Sequence, residues 1–402
     1  MREADFVSKD FGTITTRPLS PWTYPYFLPK ELPREITLSP ETIVAVSQAD
    51  QALGRLAGLS QLIAEPEVLL GPSMSQEALS SSRIEGTQAS LSDVLSAESD
   101  DQPIIDENLR EVDNYLKAAN QGVRLLNELP ITQRFFCALH ETLMQDVRGE
   151  EKAPGEIRKS PVWIGSTNAR PETAKFIPPH QDHLGALIAD WERFVNEPTP
   201  LIPTVIRCAL THYQFETIHP FLDGNGRIGR LLIGFSLMRD GVLPAPILHI
   251  SGFFERNRPE YYARLQAVRE RGEIEQWFQF FSLAITTQAN ESATRIRHLV
   301  EIRERYRREI AGDRTTLPEL IDLIFKNPVV TVSSVQRALT ISQPTASSVL
   351  HRASERGWVR SMGRWGRGGK ERWLASDIWR AVASPIDQEN DPVGESSSQK
   401  NQ

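Results

Sequence analysis

One stretch of twelve residues, 219–230, concentrates the side chains that are best suited to phosphate chemistry. Two of its glycines flank Asn225 and let the backbone turn tightly, so that several N–H groups converge where a helix is predicted to begin. Converging N–H groups and the positive end of a helix dipole both favour an anion. The sequence therefore predicts a phosphate site built from His219, Pro220, Phe221, Leu222, Asp223, Gly224, Asn225, Gly226, Arg227, Ile228, Gly229 and Arg230.

The charged residues of this stretch indicate a polyphosphate together with a metal ion. Arg227 and Arg230 are three positions apart on a predicted helix and share one face, where planar guanidinium groups can grip phosphate oxygens. A carboxylate beside phosphates would be repelled unless it held a cation, and Mg²⁺ commonly uses one or two carboxylates plus phosphate oxygens. We therefore predict that Asp223 binds Mg²⁺.

His219 lies at the end of a predicted helix and is followed by a rigid proline. An imidazole with an ordinary pKa of about 6.5 can take a proton from an attacking hydroxyl at neutral pH. A single histidine in this position is commonly structural, and a Gly-Asn-Gly run is commonly only a turn. A base, a carboxylate, a glycine cradle and paired arginines have little structural reason to coincide, so the combination predicts catalysis with His219 as general base.

The segments that must position this stretch have the hydrophobic spacing of helices. Residues 157–179 differ, because two short extended runs surround a polar loop, which predicts a β-hairpin flap. We expect a mainly α fold, a helical bundle with this flap. The predicted helices are 66–83, 105–126, 131–147, 182–196, 203–218, 227–240, 259–271 and 274–309.

The two ends of the chain differ from this bundle. Proline and aromatic residues dominate the start, which favours an extended arm that we expect to lie over the first helices. Near the other end, helices at 317–326, 332–339 and 343–356 precede two short strands, the pattern of a winged helix-turn-helix. The predicted domains are the arm 1–39, a helical region 40–125, a catalytic core 126–310, a winged helix 315–380 and a disordered tail 384–402.

Composition excludes several classes of protein. Hydrophobic residues make up 40% of the chain, charged residues 24%, and the net charge is −7, as in ordinary globular proteins. The two cysteines, Cys137 and Cys208, support neither a disulfide framework nor a cysteine metal site. No signal-like apolar segment and no apolar run of about 18 residues occurs. We expect a cytoplasmic protein without membrane contact.

The stretch 219–230 resembles the signature of the Fic family, since every position that this signature specifies is filled. The resemblance covers about residues 40–310. It implies a protein adenylyltransferase that uses ATP and Mg²⁺ to transfer AMP to a Tyr, Thr or Ser hydroxyl of a target protein, or to itself. It also implies that His219 is the base, that Asp223 binds Mg²⁺, that 224–226 and Arg227 bind the α- and β-phosphates, and that Arg230 binds the γ-phosphate.

The resemblance implies further contacts outside the loop. The flap would hold an extended target segment by strand addition, with Ile164 and Gly165 lining the nucleotide site or the target groove. Tyr261 and Tyr262 would contact the adenosine, although a tyrosine pair on a helix equally fits one core ring and one surface ring. The nucleotide-binding residues expected are Asp223, Gly224, Asn225, Gly226, Arg227, Ile228, Gly229, Arg230, Ile164, Gly165, Tyr261 and Tyr262.

Residues 81–86, which run from Ser81 to Glu85 and Gly86, resemble the inhibitory motif of the family. The resemblance implies an inhibitory helix at about 66–86. Glu85 would pair with Arg230 and deny that arginine to the γ-phosphate, so that the enzyme rests in an inhibited state. In some relatives the same glutamate supports the removal of AMP.

A different class of function is a DNA-binding transcriptional regulator whose Fic domain is a sensor or transfers another phosphate-containing group. Residues 314–380 contain eleven lysines and arginines against five acidic residues. Several of these basic residues crowd the predicted wing, where DNA phosphates would lie: Arg360, Arg364, Arg367, Lys370 and Arg372.

A homodimer is compatible with the sequence, but no heptad run requires one.

Overall fold

The computed structural model describes residues 1–16, 24–61, 66–99, 103–147, 150–165, 170–198, 201–311, 316–365 and 370–383. These residues form fifteen α-helices and two small antiparallel sheets, which confirms the mainly α fold. No helix among them is both long enough and apolar enough to cross a bilayer. The chain divides into two compact units, Met1–Gly54 with Lys117–Ala289, and Arg55–Leu116 with Asn290–Gln402.

The helices include every predicted one, most with ends within two residues of the prediction, and three that were not predicted, Leu91–Ser99, Ser251–Arg256 and Ser376–Val382. They are α1 (Pro40–Gln61), α2 (Pro66–Ile84), α3 (Leu91–Ser99), α4 (Glu107–Leu126), α5 (Gln133–Leu143), α6 (Leu184–Asn196), α7 (Thr204–Ile218), α8 (Asn225–Arg239), α9 (Ser251–Arg256), α10 (Arg258–Arg271), α11 (Ile274–Glu309), α12 (Leu317–Lys326), α13 (Val332–Leu339), α14 (Gln343–Glu355) and α15 (Ser376–Val382).

Helix α7 is the centre of the first unit. All but two of its fifteen residues are buried, which requires neighbouring helices on every side. Two tryptophans donate hydrogen bonds to its backbone carbonyls, Trp191 of α6 to Thr211 (3.0 Å) and Trp277 of α11 to Ala209 (3.0 Å). These contacts fasten the middle of α7 to α6 and α11, and α7 leads directly into the predicted phosphate loop.

The arm lies against the flap rather than over the first helices. Strand β1 (Gly12–Thr16) pairs antiparallel with β2 (Pro25–Pro29), from Gly12 opposite Pro29 to Thr16 opposite Pro25. The Phe27 N–H donates to the Ile177 carbonyl (3.0 Å), and Tyr26 packs on Ile177. The aromatic rings of the arm find their apolar surface there, which corrects the expectation that the arm covers the first helices. Residues 17–23 lie outside the described part.

The second unit joins α2 and α3 to the C-terminal helices. Helix α2 packs closely on α12, because a Cβ at Gly71 would lie 2.5 Å from the Lys326 carbonyl oxygen. The Asn327 amide donates to the Leu95 carbonyl of α3 (2.8 Å). The regions 40–125 and 315–380 thus both contribute to one compact unit.

The C-terminal module contains a three-stranded sheet in the order β3-β5-β4, with β3 (Val329–Thr331), β4 (Arg360–Trp365) and β5 (Lys370–Leu374). The predicted helices 317–326 and 332–339 are present with these bounds. Strand β3 and helix α15 were not predicted. The tip of the predicted wing, 366–369 with Arg367, and the tail 384–402 lie outside the described residues.

Candidate active site

The loop 219–224 connects α7 to α8 and is closed by a side chain. Backbone φ is +50° at His219 and +74° at Gly224, so the chain takes a left-handed turn at both ends of the loop. The Asn225 side chain accepts a hydrogen bond from the Phe221 N–H (2.8 Å) and donates one to the Phe221 carbonyl (2.9 Å). Asn225 is 2% exposed, and these two hydrogen bonds fasten the start of α8 to the loop.

His140 of α5 packs against this loop. Its ring stacks on the Phe221 ring, with the ring centroids 3.7 Å apart and an angle of 3° between the ring planes. Its Nδ1 accepts from the Gly155 N–H (2.8 Å), so the proton must be on Nε2, which donates to the Asp223 carbonyl (3.0 Å). Burial lowers the pKa of His140 to about 4, so the ring is neutral at pH 7. Gly224 has φ of +74°, and a Cβ there would lie 3.0 Å from the Met144 sulfur and 3.2 Å from Nε2 of this ring, so both backbone and space favour glycine.

The Asp223 carboxyl group is held ionised. Its Oδ2 lies 2.9 Å from the Lys152 ammonium, and its Oδ1 accepts from the Gly224 N–H (2.7 Å). Burial raises the pKa of Asp223, but these two hydrogen bonds outweigh it and hold the pKa below its ordinary value. The described residues contain no group of three or more potential metal ligands. A divalent cation here would thus need phosphate oxygens and water beside Asp223, as is usual for Mg²⁺.

The two arginines of the loop motif are buried on α8, with 3% exposed for Arg227 and 2% for Arg230. One guanidinium nitrogen of Arg227 lies 3.5 Å from the Met144 sulfur. The charge of Arg227 also helps to hold the pKa of Asp223 below its ordinary value. Immobilised guanidinium groups beside a helix N-terminus suit phosphate oxygens, because little side-chain entropy is lost on binding.

His219 is neutral at physiological pH. Its side chain is partly exposed, but Nδ1 is buried, and none of the described residues forms a hydrogen bond with that atom. Burial, followed by the charges of Arg158 and Arg269, lowers the pKa of His219 to about 3. A neutral imidazole can accept a proton from a hydroxyl group.

Comparisons with known proteins identify the family. Residues 43–124 match the Fic/DOC family N-terminal region, and residues 130–237, which include the whole loop motif, match the Fic/DOC family itself. This chain belongs to the Fic family. The Fic region 130–237 contains α5, α6, α7, the loop 219–224 and nearly all of α8. The helices that support His219 and Asp223 are therefore those of the family.

Curated relatives carry the name Protein adenylyltransferase Fic. The protein from Drosophila erecta is 33% identical over 159 residues, which is 39% of this chain and 28% of that protein. The protein from Drosophila melanogaster is also 33% identical over 159 residues, or 29% of its length. The chain thus spans less than a third of these relatives. A Fic family protein from Desulfovibrio desulfuricans G20 shares the fold, with a TM-score of 0.51 and 19% identity, over 86% of this chain and 98% of that one.

The flap of this Fic protein has less β-structure than the predicted hairpin. Ile164 and Phe176 form a single antiparallel bridge, in which the Ile164 N–H donates to the Phe176 carbonyl (2.8 Å). The Ile164 carbonyl accepts from the Lys175 N–H (2.9 Å). Ile164 is 36% exposed, and Gly165 beside it is also exposed. The predicted turn falls on 166–169, outside the described chain.

Two residues of the loop motif have packing roles. The Ile228 side chain is fully buried. A Cβ at Gly229 would lie 2.6 Å from a Glu216 carboxylate oxygen, so this glycine lets α8 approach α7. The sequence assigned both residues to the nucleotide site. A nucleotide contact by either residue stays a prediction, and burial leaves it to the backbone.

The tyrosine pair of α10 divides into a core ring and a surface ring. Tyr261 is fully buried, its hydroxyl lies 2.7 Å from Nε2 of His212, and its ring stacks on Phe254 at 4.4 Å. Tyr262 is 41% exposed, with the Arg258 guanidinium 5.9 Å from its ring centre. The buried position of Tyr261 favours the structural alternative over an adenosine contact for this ring.

Glu85 lies in the turn directly after α2, in the second compact unit. The Glu85 N–H donates to the Ser82 carbonyl (3.0 Å), and Gly86 follows with φ of +105°. Arg230 belongs to the first unit. The pairing of Glu85 with Arg230 stays a prediction from the family motif.

Sequence reasoning missed three residues that support the loop. They are His140, Lys152 and Arg158, each more than sixty positions from its partner in the loop. One signal was available for His140, because it occupies a core-facing position of α5 between Phe136 and Leu143. A polar residue at such a position requires buried hydrogen-bond partners.

Proposed function

We propose that this Fic protein transfers AMP from ATP to a hydroxyl side chain of a protein. The observation that carries the proposal is the neutral His219, which follows the end of α7 and lies six residues before the N-terminus of α8. The names of the curated relatives support the same chemistry. The target would present Tyr, Thr or Ser in an extended segment beside the flap.

The proposed step is a displacement at the α-phosphorus atom. The target hydroxyl oxygen bonds to that phosphorus while His219 takes the hydroxyl proton. The bond between the α-phosphorus and the oxygen that bridges to the β-phosphorus breaks, and pyrophosphate leaves. Backbone N–H groups at 224–226 and Arg227 would bind the α- and β-phosphates, and Arg230 the γ-phosphate.

The ionised Asp223 fits a divalent cation, which we propose to be Mg²⁺. When bound, the ion would neutralise phosphate charge as the negative charge on the leaving group grows. Lys152, which pairs with Asp223 at 2.9 Å, gives the carboxylate a positive partner before nucleotide and cation arrive. Asp223 would then exchange this partner for the ion.

The proposal is tested by the mass of the Glu85→Gly protein after reaction with ATP and Mg²⁺, because the wild type is expected to rest in an inhibited state. Intact-mass spectrometry should show adducts of one AMP, and peptide sequencing should place them on Tyr, Thr or Ser. An adduct with the mass of phosphate, or an unmodified chain under conditions that retain nucleotide binding, would contradict AMP transfer and favour another phosphate-containing group.

We further propose that Glu85 inhibits the enzyme by pairing with Arg230. Glu85→Gly should then raise self-modification by at least about tenfold, because a charge-assisted pair of about 1.4 kcal/mol or more is removed. Glu128→Gly is a matched control, since Glu128 also lies in the turn that follows a helix. Equal labelling of wild type and the Glu85 variant would remove Glu85 from this role. Release of AMP from a premodified target by the wild type, but not by the Glu85→Gly variant, would indicate that Glu85 also supports de-AMPylation.

A second candidate function is DNA binding by the C-terminal module. Helices α13 and α14 are joined by a three-residue turn in which Thr340 has φ of +53°, and Ser342 caps α14. Strands β4 and β5 follow and carry Arg360, Arg364 and Lys370. Two helices with a basic hairpin are the arrangement of a winged helix-turn-helix.

DNA binding is tested by fluorescence anisotropy with a double-stranded oligonucleotide over a range of salt concentrations. Affinity should fall steeply as salt rises, and Arg364→Ala should reduce the logarithmic salt slope by about 1. Arg308→Ala, on the exposed surface of α11, is the control. Binding that does not depend on salt, or no binding at low salt, would exclude this function.

A further inference from the structure

A buried arginine that no catalytic motif includes connects the candidate base to the flap. Arg158 is 3% exposed, and no carboxylate of the described residues forms an ion pair with it. Its guanidinium group donates only to backbone carbonyl oxygens. Burial without a carboxylate is costly for a cation and lowers the pKa of Arg158 to about 10. Such a group requires a dense set of hydrogen bonds.

The acceptors of Arg158 lie on two segments. Nε donates to the His219 carbonyl (2.8 Å), and Nη2 donates to the Ile218 carbonyl (3.3 Å). Nη2 also donates to the Pro179 carbonyl (2.6 Å), and Nη1 to the Ser160 carbonyl (3.1 Å). The backbone N–H of Arg158 donates to the Pro220 carbonyl (2.9 Å). One residue therefore binds three consecutive carbonyls around His219 and both ends of the flap.

The hydrogen bonds of Arg158 stabilise an unfavourable backbone conformation at His219. The residue ends α7 in the left-handed region, with φ of +50° and ψ of +65°. Glycine or asparagine normally occupies such a position, because a β-carbon makes it strained. A base must have a side chain, so the strain has to be offset by contacts with the backbone. The contacts from Arg158 supply them.

We propose that Arg158 is a positioning residue that holds His219 in its left-handed conformation and fixes the imidazole relative to the flap. This inference rests on the proposed role of His219 as base. A guanidinium group is needed, since its planar fork reaches four carbonyl oxygens, whereas a lysine ammonium has only three donors at one point. The flap and the base would then keep one geometry during the reaction.

The test compares Arg158→Gln and Arg158→Lys with Lys159→Met. Lys159 is the adjacent residue, but its side chain is 85% exposed and pairs only with Glu156 at the surface. The first measurement is the NMR spectrum of the His219 ring in ¹⁵N-histidine-labelled protein, assigned with His219→Ala. Wild type and Lys159→Met should give one set of ring signals at the same positions, and Arg158→Gln should give shifted or multiple sets. Thermal unfolding identifies which variants are folded.

The second measurement is the kinetics of transfer, made in the Glu85→Gly background. In Arg158→Gln, kcat should fall by about a hundredfold, since small misplacements of a reacting group have effects of this size. KM for ATP should stay within about twofold, because the phosphate-binding loop keeps its own contacts. The kcat of Arg158→Lys should lie between those of the wild type and Arg158→Gln. The lysine variant serves as the test if Arg158→Gln does not fold.

Two outcomes would overturn the inference. The first is an unchanged His219 ring spectrum in folded Arg158 variants. The second is a loss of kcat in Lys159→Met as large as in Arg158→Gln. The ring spectrum does not depend on catalysis, so a chain without any AMP transfer but with altered ring signals would refute the proposed function and still support the positioning role.

Discussion

His219→Ala should lower AMP transfer by about a thousandfold, the contribution typical of a well-placed general base. Two other histidines of the described residues contact the loop motif, and neither has a free ring nitrogen: His140 is hydrogen-bonded at both nitrogens, and those of the buried His212 contact Gly229 and Tyr261. ATP affinity should change little, because the phosphate contacts proposed for 224–226, Arg227 and Arg230 do not involve the imidazole. Transfer is measured as incorporated label, and affinity by calorimetry.

The matched control for this prediction is His298→Ala, which removes an exposed histidine of α11. It should leave transfer unchanged. The pH profile adds a second check, because the base must be unprotonated and the pKa of His219 is lowered to about 3. The acid limb of kcat/KM should therefore lie well below pH 6.5, the ordinary value for histidine. Residual transfer above a tenth of wild type in His219→Ala would exclude His219 as the base.

Asn225→Ala should both destabilise the protein and lower transfer. The change removes two buried hydrogen bonds to Phe221 and leaves its N–H and carbonyl without partners, which costs about 2 kcal/mol or more. The loop would lose the clamp that sets the spacing between His219 and the start of α8, so we expect kcat to fall by about a hundredfold. Urea unfolding measures the first effect, and label incorporation measures the second.

The control for the clamp is Asn127→Ala, which removes one long hydrogen bond (3.4 Å) at the exposed end of α4. It should change the free energy of unfolding by less than about 0.5 kcal/mol. If Asn225→Ala retained full stability and lost only nucleotide affinity, the side chain would be a ligand for the nucleotide, as the sequence first suggested, and the clamp would be refuted.

The loop motif was readable from sequence because its residues are local. His219, Asp223 and the arginines follow one another within twelve positions, so helix periodicity and turn chemistry were enough to group them. Their supports depend on tertiary contacts. Lys152 and Arg158 reach the loop across 71 and 61 positions. No spacing rule connects residues so far apart, and the roles of Asn225 and Gly229 within the loop became clear only from their contacts.

The secondary structure shows the same difference between features set by local sequence and features set by tertiary contacts. Long periodic segments such as α11 were found with their ends, since many residues contribute to the pattern. Helix α8 begins two residues earlier than predicted, because Gly224 in the left-handed region lets the helix begin at Asn225. Strand β3 has three residues, all buried, which is too short for an alternating pattern to appear. The flap forms one bridge, a feature set by contacts with the arm and with α10 rather than by its own alternation.

The most direct test of AMP transfer uses the Glu85→Gly protein with two samples of ATP, one labelled at the α-phosphate and one at the γ-phosphate. Mg²⁺ is present in both, and label on the protein is followed on a denaturing gel. We expect label from the α-labelled nucleotide alone, and loss of that label in the Glu85→Gly, His219→Ala double variant. Label from the γ-labelled nucleotide, or α-label that persists without His219, would contradict this expectation.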